Sequence, residues 1–195
     1  MWALEERITW LFKGRFEKAN EVVIQEKNQL GEACVRLTSS EPLICLNSPR
    51  DDALYFLQER KLADGIVLQV SETGAVLHLI ECKKVIKDGN WEHIKSQWSG
   101  ALQTALALCG VLGLTVSENQ RVFLYSAYRE DKLSPSNNTN PALLKMLTGA
   151  RSSDPIPPAL EWGRQNVKIL GCQFRHHKIQ LDPAGHGHFQ IEVNE

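Results

Sequence analysis

Asp64-Gly65-Ile66-Val67-Leu68-Gln69-Val70-Ser71-Glu72-Thr73-Gly74-Ala75-Val76-Leu77-His78-Leu79-Ile80-Glu81-Cys82-Lys83 is the stretch on which the fold turns. Two apolar runs flank Ser71-Glu72-Thr73-Gly74, so the segment reads as a β-hairpin. In an antiparallel hairpin the positions of facing residues keep a constant sum. Closing the turn with Ser71 opposite Gly74 therefore carries the pairing to Asp64 opposite Glu81. Directly opposed side chains share a face and lie roughly 5 Å apart at Cβ. Lys83, two residues beyond Glu81, falls on that same face. Two acids and a lysine thus meet at the open end of an otherwise apolar hairpin. Opposed like charges destabilise a sheet unless something positive compensates, and Mg²⁺, held by one or two carboxylates with water and phosphate, suits that need. A plainer alternative stays open, in which Asp64 is a surface residue and Glu81 and Lys83 form a same-face ion pair. A turn of three or five residues would also shift the register by one and part the acids.

Outward from the hairpin, apolar spacing predicts a helix over 1–19, strand pieces at 22–24, 33–37 and 43–46, and a short helix over 53–61. On the other side, Asn90 is the expected N-cap of a long helix from 91 to 112, closed by Gly110 and Gly113. A strand at 121–128, buried on both faces, follows. Beyond it come a polar loop at 129–140, a short helix at 141–147, an irregular connector at 152–158, and strands at 167–174 and 189–193. Strands interleaved with helices give an α/β domain with a mixed sheet.

The chain has 195 residues, 22 basic against 23 acidic, with 43% hydrophobic residues. That length suits one domain spanning 1–195 and buries a single core without staples. Near-neutral composition excludes a largely disordered polymer and makes no whole-chain case for nucleic acid or membrane, although a small basic cleft can sit on a neutral protein. The longest mostly apolar stretch, 101–114, is too short to span a bilayer, and no secretion signal is evident, so no membrane partner is expected. Five scattered cysteines without a CxxC pair read as reduced thiols of a cytoplasmic protein.

Asp64, the hairpin and Glu81-Cys82-Lys83 resemble the PD-(D/E)XK nuclease superfamily, over roughly residues 50–128, with 129–195 as a C-terminal extension. Ala63 stands where the motif often has proline. The resemblance implies a restriction-endonuclease-like three-layer core, a central mixed β-sheet flanked by helices. It implies an endonuclease hydrolysing phosphodiester bonds, DNA ahead of RNA, with Asp64 and Glu81 holding Mg²⁺ or Mn²⁺ and Lys83 activating or steering water. Members often carry a polar residue on the helix after the hairpin; Gln97 occupies such a place, bordering the apolar stripe of Ile94, Trp98, Ala101, Ala105 and Leu108. Many also place a metal-ligating glutamate on the first helix, for which Glu5, Glu6, Glu17 and Glu21 are equal candidates here. Implied partners are nucleic acid and either a second copy or another protein of a bacterial antiviral defence system. The alternative is a nuclease-fold binding or assembly subunit without activity.

Lys83, Lys84, Lys87, His93 and Lys95 form a basic cluster beside the acids, and Lys84, Lys87 and Lys95 are the expected phosphate contacts. Taken singly, each reads first as part of a solvated strand end or helix start; as a group beside the acids they favour nucleic acid. His176, His177, His186 and His188 lack zinc-finger spacing and are expected on a surface hairpin, turned at Asp182-Pro183-Ala184-Gly185. Cys82, between Glu81 and Lys83, should face the core on the opposite side of the strand.

Overall fold

The computed structural model describes residues 4–12, 16–26, 33–46, 61–71, 74–116, 121–134 and 156–191. The helices expected at 53–61 and 141–147, and most of the connector at 152–158, lie outside the described residues.

The hairpin forms as its sequence dictates. Strands β3 (Gly65–Ser71) and β4 (Gly74–Ile86) pair antiparallel from Ser71↔Gly74 through Val70↔Ala75 to Gly65↔Ile80. The ladder ends there, one residue short of Asp64 and Glu81. After β4 the chain enters helix α2 (Asp88–Leu112), then strand β5 (Val122–Asp131), which returns parallel to β4. Asn90 sits inside α2 rather than at its N-cap. Its side-chain oxygen accepts from the Lys87 N–H at 2.9 Å, and its amide donates to the Val85 carbonyl at 2.7 Å, tying the strand end to the helix start. Gly113 ends the helix in the left-handed region at φ 68°.

Before the hairpin, helix α1 (Leu4–Phe12) is shorter than its apolar spacing suggests, because Phe16 already opens strand β1 (Phe16–Gln25). The pieces expected at 33–37 and 43–46 are one strand, β2 (Cys34–Leu46). Pro42 is tolerated because the ladder breaks there: β1 and β2 pair up to Ala19↔Leu43 and resume at Glu21↔Thr38. Asn20 spans the break, its amide donating to the Ser40 carbonyl at 2.9 Å.

The C-terminal part departs furthest from expectation. Residues 167–174 are not one strand but the junction of β6 (Asn166–Ile169) and β7 (Cys172–Gln180), joined by Leu170 at φ 49° and Gly171 at φ 84°. The last strand, β8 (His186–Ile191), does not pair with β7. It runs parallel to the first half of β2, from Cys34↔His186 to Ser39↔Ile191. A short helix, α3 (Pro158–Trp162), precedes β6. Leu170 is half exposed and carries a side chain in a backbone region that costs an L-residue about 1–2 kcal/mol. Leu170→Asn is therefore expected to raise stability by about 0.5–1 kcal/mol in urea unfolding, since Asn tolerates this region and little packing is lost.

The result is an α/β protein with a mixed eight-stranded sheet in the order β1-β2-β3-β4-β5-β7-β6, with β8 attached to β2. One face carries the larger core: Ile66, Leu68, Leu77, Leu79 and Leu124 pack against Trp91, Ile94, Trp98 and Ala101 of α2, with Ile8 of α1 and Trp162 of α3. On the opposite face Val67, Ile80, Cys82 and Tyr125 pack against Val22, Ile24, Val35, Leu37 and Ile191. Among the described residues all three helices contribute to the first face, and strands rather than helices cover the second. Strand β5 is buried on both faces, as its apolar run implies. No helix among the described residues is long and apolar enough to cross a membrane.

Candidate active site

Asp64 ends the segment leading into β3, and Glu81 lies beside it on β4. The Asp64 N–H donates to Glu81 Oε2 at 3.3 Å, and the Cys82 N–H donates to Asp64 Oδ2 at 2.9 Å. Each carboxylate is thus held by backbone of the other strand, and these side-chain bonds tie the two strands together just beyond the last ladder pair, Gly65↔Ile80. Lys83 Nζ donates to Glu81 Oε1 on the same face. Cys82 is buried on the other side.

Electrostatics make this a strained cluster. Glu81 is only 1% exposed. Burial, then the charge of Asp64, pushes its carboxyl up to about 8, and Lys83 only partly offsets this. Lys83 in turn is held above the usual range by Glu81 and Asp64, against its own burial. One ammonium is therefore shared by two acids at the end of an apolar strand pair. Ionising Glu81 leaves this cluster with one uncompensated negative charge, which a hard cation would relieve, and the oxygen donors of Asp64 and Glu81 suit Mg²⁺ or Mn²⁺. Among the described residues no three His, Cys, Asp or Glu side chains converge as a metal-binding group, so two carboxylates are the donors the cluster offers.

Gln97 borders the site from α2. Its amide nitrogen donates to the Leu62 carbonyl at 3.4 Å, two residues before Asp64, and its buried Oε1 has no hydrogen-bond partner among the described residues. His93, one turn earlier, is held below its usual range by desolvation and then by the charges of Lys83 and Lys61. Lys61 and Lys83 therefore both lie near enough to His93 for their charges to act on it.

The expected phosphate contacts separate. Lys84 is exposed, but strand alternation turns it to the face opposite Lys83; Lys87 is exposed at the start of α2. Lys95 is engaged elsewhere, 2.7 Å from both Glu92 and Glu161, with Glu161 also accepting from the Trp91 indole at 2.8 Å.

Of the first-helix glutamate candidates, Glu5 pairs with Lys18, Glu21 pairs with Arg36 at 3.0 Å, and Glu6 and Glu17 are exposed. The acid whose charge is felt at the site is Glu26, buried at the end of β1, which acts on both Lys83 and Cys82. Close approach of β1 brings it there: a Cβ on Gly65 would lie 2.7 Å from Ile24 Cδ1. No periodicity marks Glu26, because its place depends on a crossing of strands rather than on a local pattern.

A second buried group adjoins the site. Ser126 is the register partner of Glu81 on β5, and its hydroxyl lies 3.0 Å from His176 Nε2. His176 packs against Trp91, Trp98 and Trp162 with ring centroids 5.2–5.7 Å away. Burial, then Lys178 and His177, lowers it to about 3, so it is neutral. The surface hairpin expected for the four histidines is replaced by two strands of different neighbours: His176 and His177 lie on β7, His186 and His188 on β8, where His188 Nε2 meets Thr38 Oγ1 at 2.9 Å. Comparisons with protein-family models, with characterised proteins and with solved structures gave no match for this chain.

Proposed function

We propose that the chain is a metal-dependent nuclease of the PD-(D/E)XK type with a restriction-endonuclease-like core. The observation that carries this reading is the Asp64–Glu81–Lys83 cluster, in which burial and a second acid raise Glu81 to about 8. The order β2-β3-β4, α2, then β5 parallel to β4 supports it further.

Under this reading Asp64 and Glu81 hold Mg²⁺ or Mn²⁺. When bound, the ion lowers the pKa of a coordinated water and stabilises charge on the scissile phosphate. Lys83 lowers the cost of ionising Glu81 when the metal binds and sets an ammonium where negative charge develops on phosphate oxygens. Gln97, anchored on the Leu62 carbonyl, leaves its amide oxygen as an acceptor for a water proton. Lys61 and Lys83 attract the phosphate backbone, a role that Lys87 extends at the start of α2. The substrate is nucleic acid, DNA ahead of RNA, and the setting a bacterial antiviral defence complex, as a homodimer or with a partner protein.

Incubation of the purified chain with plasmid DNA, single-stranded DNA and RNA, in Mg²⁺, in Mn²⁺ and in EDTA, tests the proposal. Cleavage with either metal and none in EDTA is the expected result. An inert protein that still binds nucleic acid would favour the non-catalytic subunit instead.

A further inference from the structure

On the sheet face opposite Glu81, a cavity of about 340 Å³ opens beneath β8, lined by rings from four strands. His78 stacks on Phe123 with centroids 5.6 Å apart at 14°, and His177 stacks on Tyr125 at 5.1 Å and 17°. Phe189 of β8 stands edge-on to Tyr125 at 5.3 Å. Arg175, exposed on β7, shares the lining, and no acidic residue is among the described residues that line it.

The floor is polar as well as aromatic. His78 is 2% exposed, and its Nδ1 lies 2.9 Å from the Tyr125 hydroxyl. Its Nε2 is buried without a hydrogen-bond partner among the described residues. A buried ring nitrogen left unpaired is costly, so this nitrogen offers a hydrogen-bonding position to a bound group. Burial, then His177, lowers His78 to about 3, so it is a neutral ring able to meet a neutral base edge. Flat ring faces select a planar heteroaromatic group by stacking, and a guanidinium in the lining favours an anion. The cavity volume falls in the range of small-molecule sites.

We propose that this cavity binds a nucleotide, the base among His78, Tyr125, His177 and Phe189 and the phosphate at Arg175. The source is either a free nucleoside monophosphate or the phosphorylated end of an oligonucleotide, since both present the same group. The site lies across the sheet from Asp64 and Glu81 and does not depend on their chemistry.

Calorimetric titration of the full chain with AMP, GMP, CMP and UMP, and with a 5′-phosphorylated and an unphosphorylated oligonucleotide, separates the two sources. Saturable binding at about 1 mM or tighter is expected for at least one of them. Arg175→Ala and His177→Ala should each weaken it about tenfold or more, whereas Lys18→Ala, an exposed β1 residue outside the lining, should leave it unchanged. No saturable binding by any probe overturns the proposal, as does unchanged affinity in both cavity variants or equal loss in Lys18→Ala. Should the cavity variants fail to fold, photo-crosslinking of the unmutated chain with 8-azido-AMP decides. Labelled peptides from β7 or β8 support the site, and labels confined elsewhere refute it.

Discussion

Lys83→Ala is expected to lower metal-dependent cleavage at least about a hundredfold while the thermal transition moves only slightly. Lys83 Nζ donates to Glu81 Oε1, and its side chain is half-buried at a strand end rather than in either core. Removing it takes away an ammonium that faces both acids. Glu81 then climbs further above its ordinary range and holds its proton more tightly, so both the carboxylate and the developing phosphate charge lose support. The fold survives because a protonated Glu81 still keeps its contact with the Asp64 backbone. Initial rates at saturating Mg²⁺, with a melting curve on the same sample, check this. Wild-type rate in a folded variant would remove Lys83 from the site.

Glu81 makes a second, opposite-looking prediction for the metal-free protein. Its carboxyl titrates near 4.5 when unperturbed and at about 8 in the fold. Between those values the folded state holds the extra proton. The stability this group contributes is therefore complete below the unfolded value and is lost as pH rises through the folded one. Glu81→Gln keeps the shape and cannot ionise. At about pH 9 it is expected to be more stable than the natural chain by at least about 1 kcal/mol, since a tenfold difference in proton affinity between the folded and unfolded states is worth ~1.4 kcal/mol. At about pH 5 the advantage should nearly vanish. Urea unfolding at both pH values measures the gap. A gap of equal size at both would mean that Glu81 is ionised throughout. Mg²⁺ binding, which requires the carboxylate, should strengthen about tenfold per pH unit below the folded value and release close to one proton.

The centre of this molecule is legible from sequence because its determinants are local. A two-residue connection fixes the β3–β4 register, strand alternation then fixes which side chains share a face, and the stripe along α2 fixes which helix surface packs on the sheet. Gln97 follows from that stripe, and Cys82 from alternation. What the sequence hides is long-range. β8 joins β2 across some 150 positions, so His186 and His188 leave the hairpin that Asp182-Pro183-Ala184-Gly185 suggests. His176 looks like a surface residue beside a charged neighbour, yet its partner is Ser126 within a cage of three tryptophans. Glu26 sits outside any motif and reaches the site through the contact between Ile24 and Gly65. Lys95 carries the right charge in the right helix, but Glu161 of α3 claims it.

All of this converges on whether Asp64 and Glu81 act together with a divalent ion. The direct measurement is cleavage of a labelled DNA and a labelled RNA in Mg²⁺ by the natural chain and by Asp64→Asn, side by side. Asparagine preserves an acceptor for the Cys82 N–H, so the fold and the 2.9 Å contact that anchors the strand end should persist while the second carboxylate is lost. The expected result is metal-dependent cleavage by the natural chain, none by Asp64→Asn, and matching melting curves. Equal cleavage by both proteins would contradict the two-carboxylate centre.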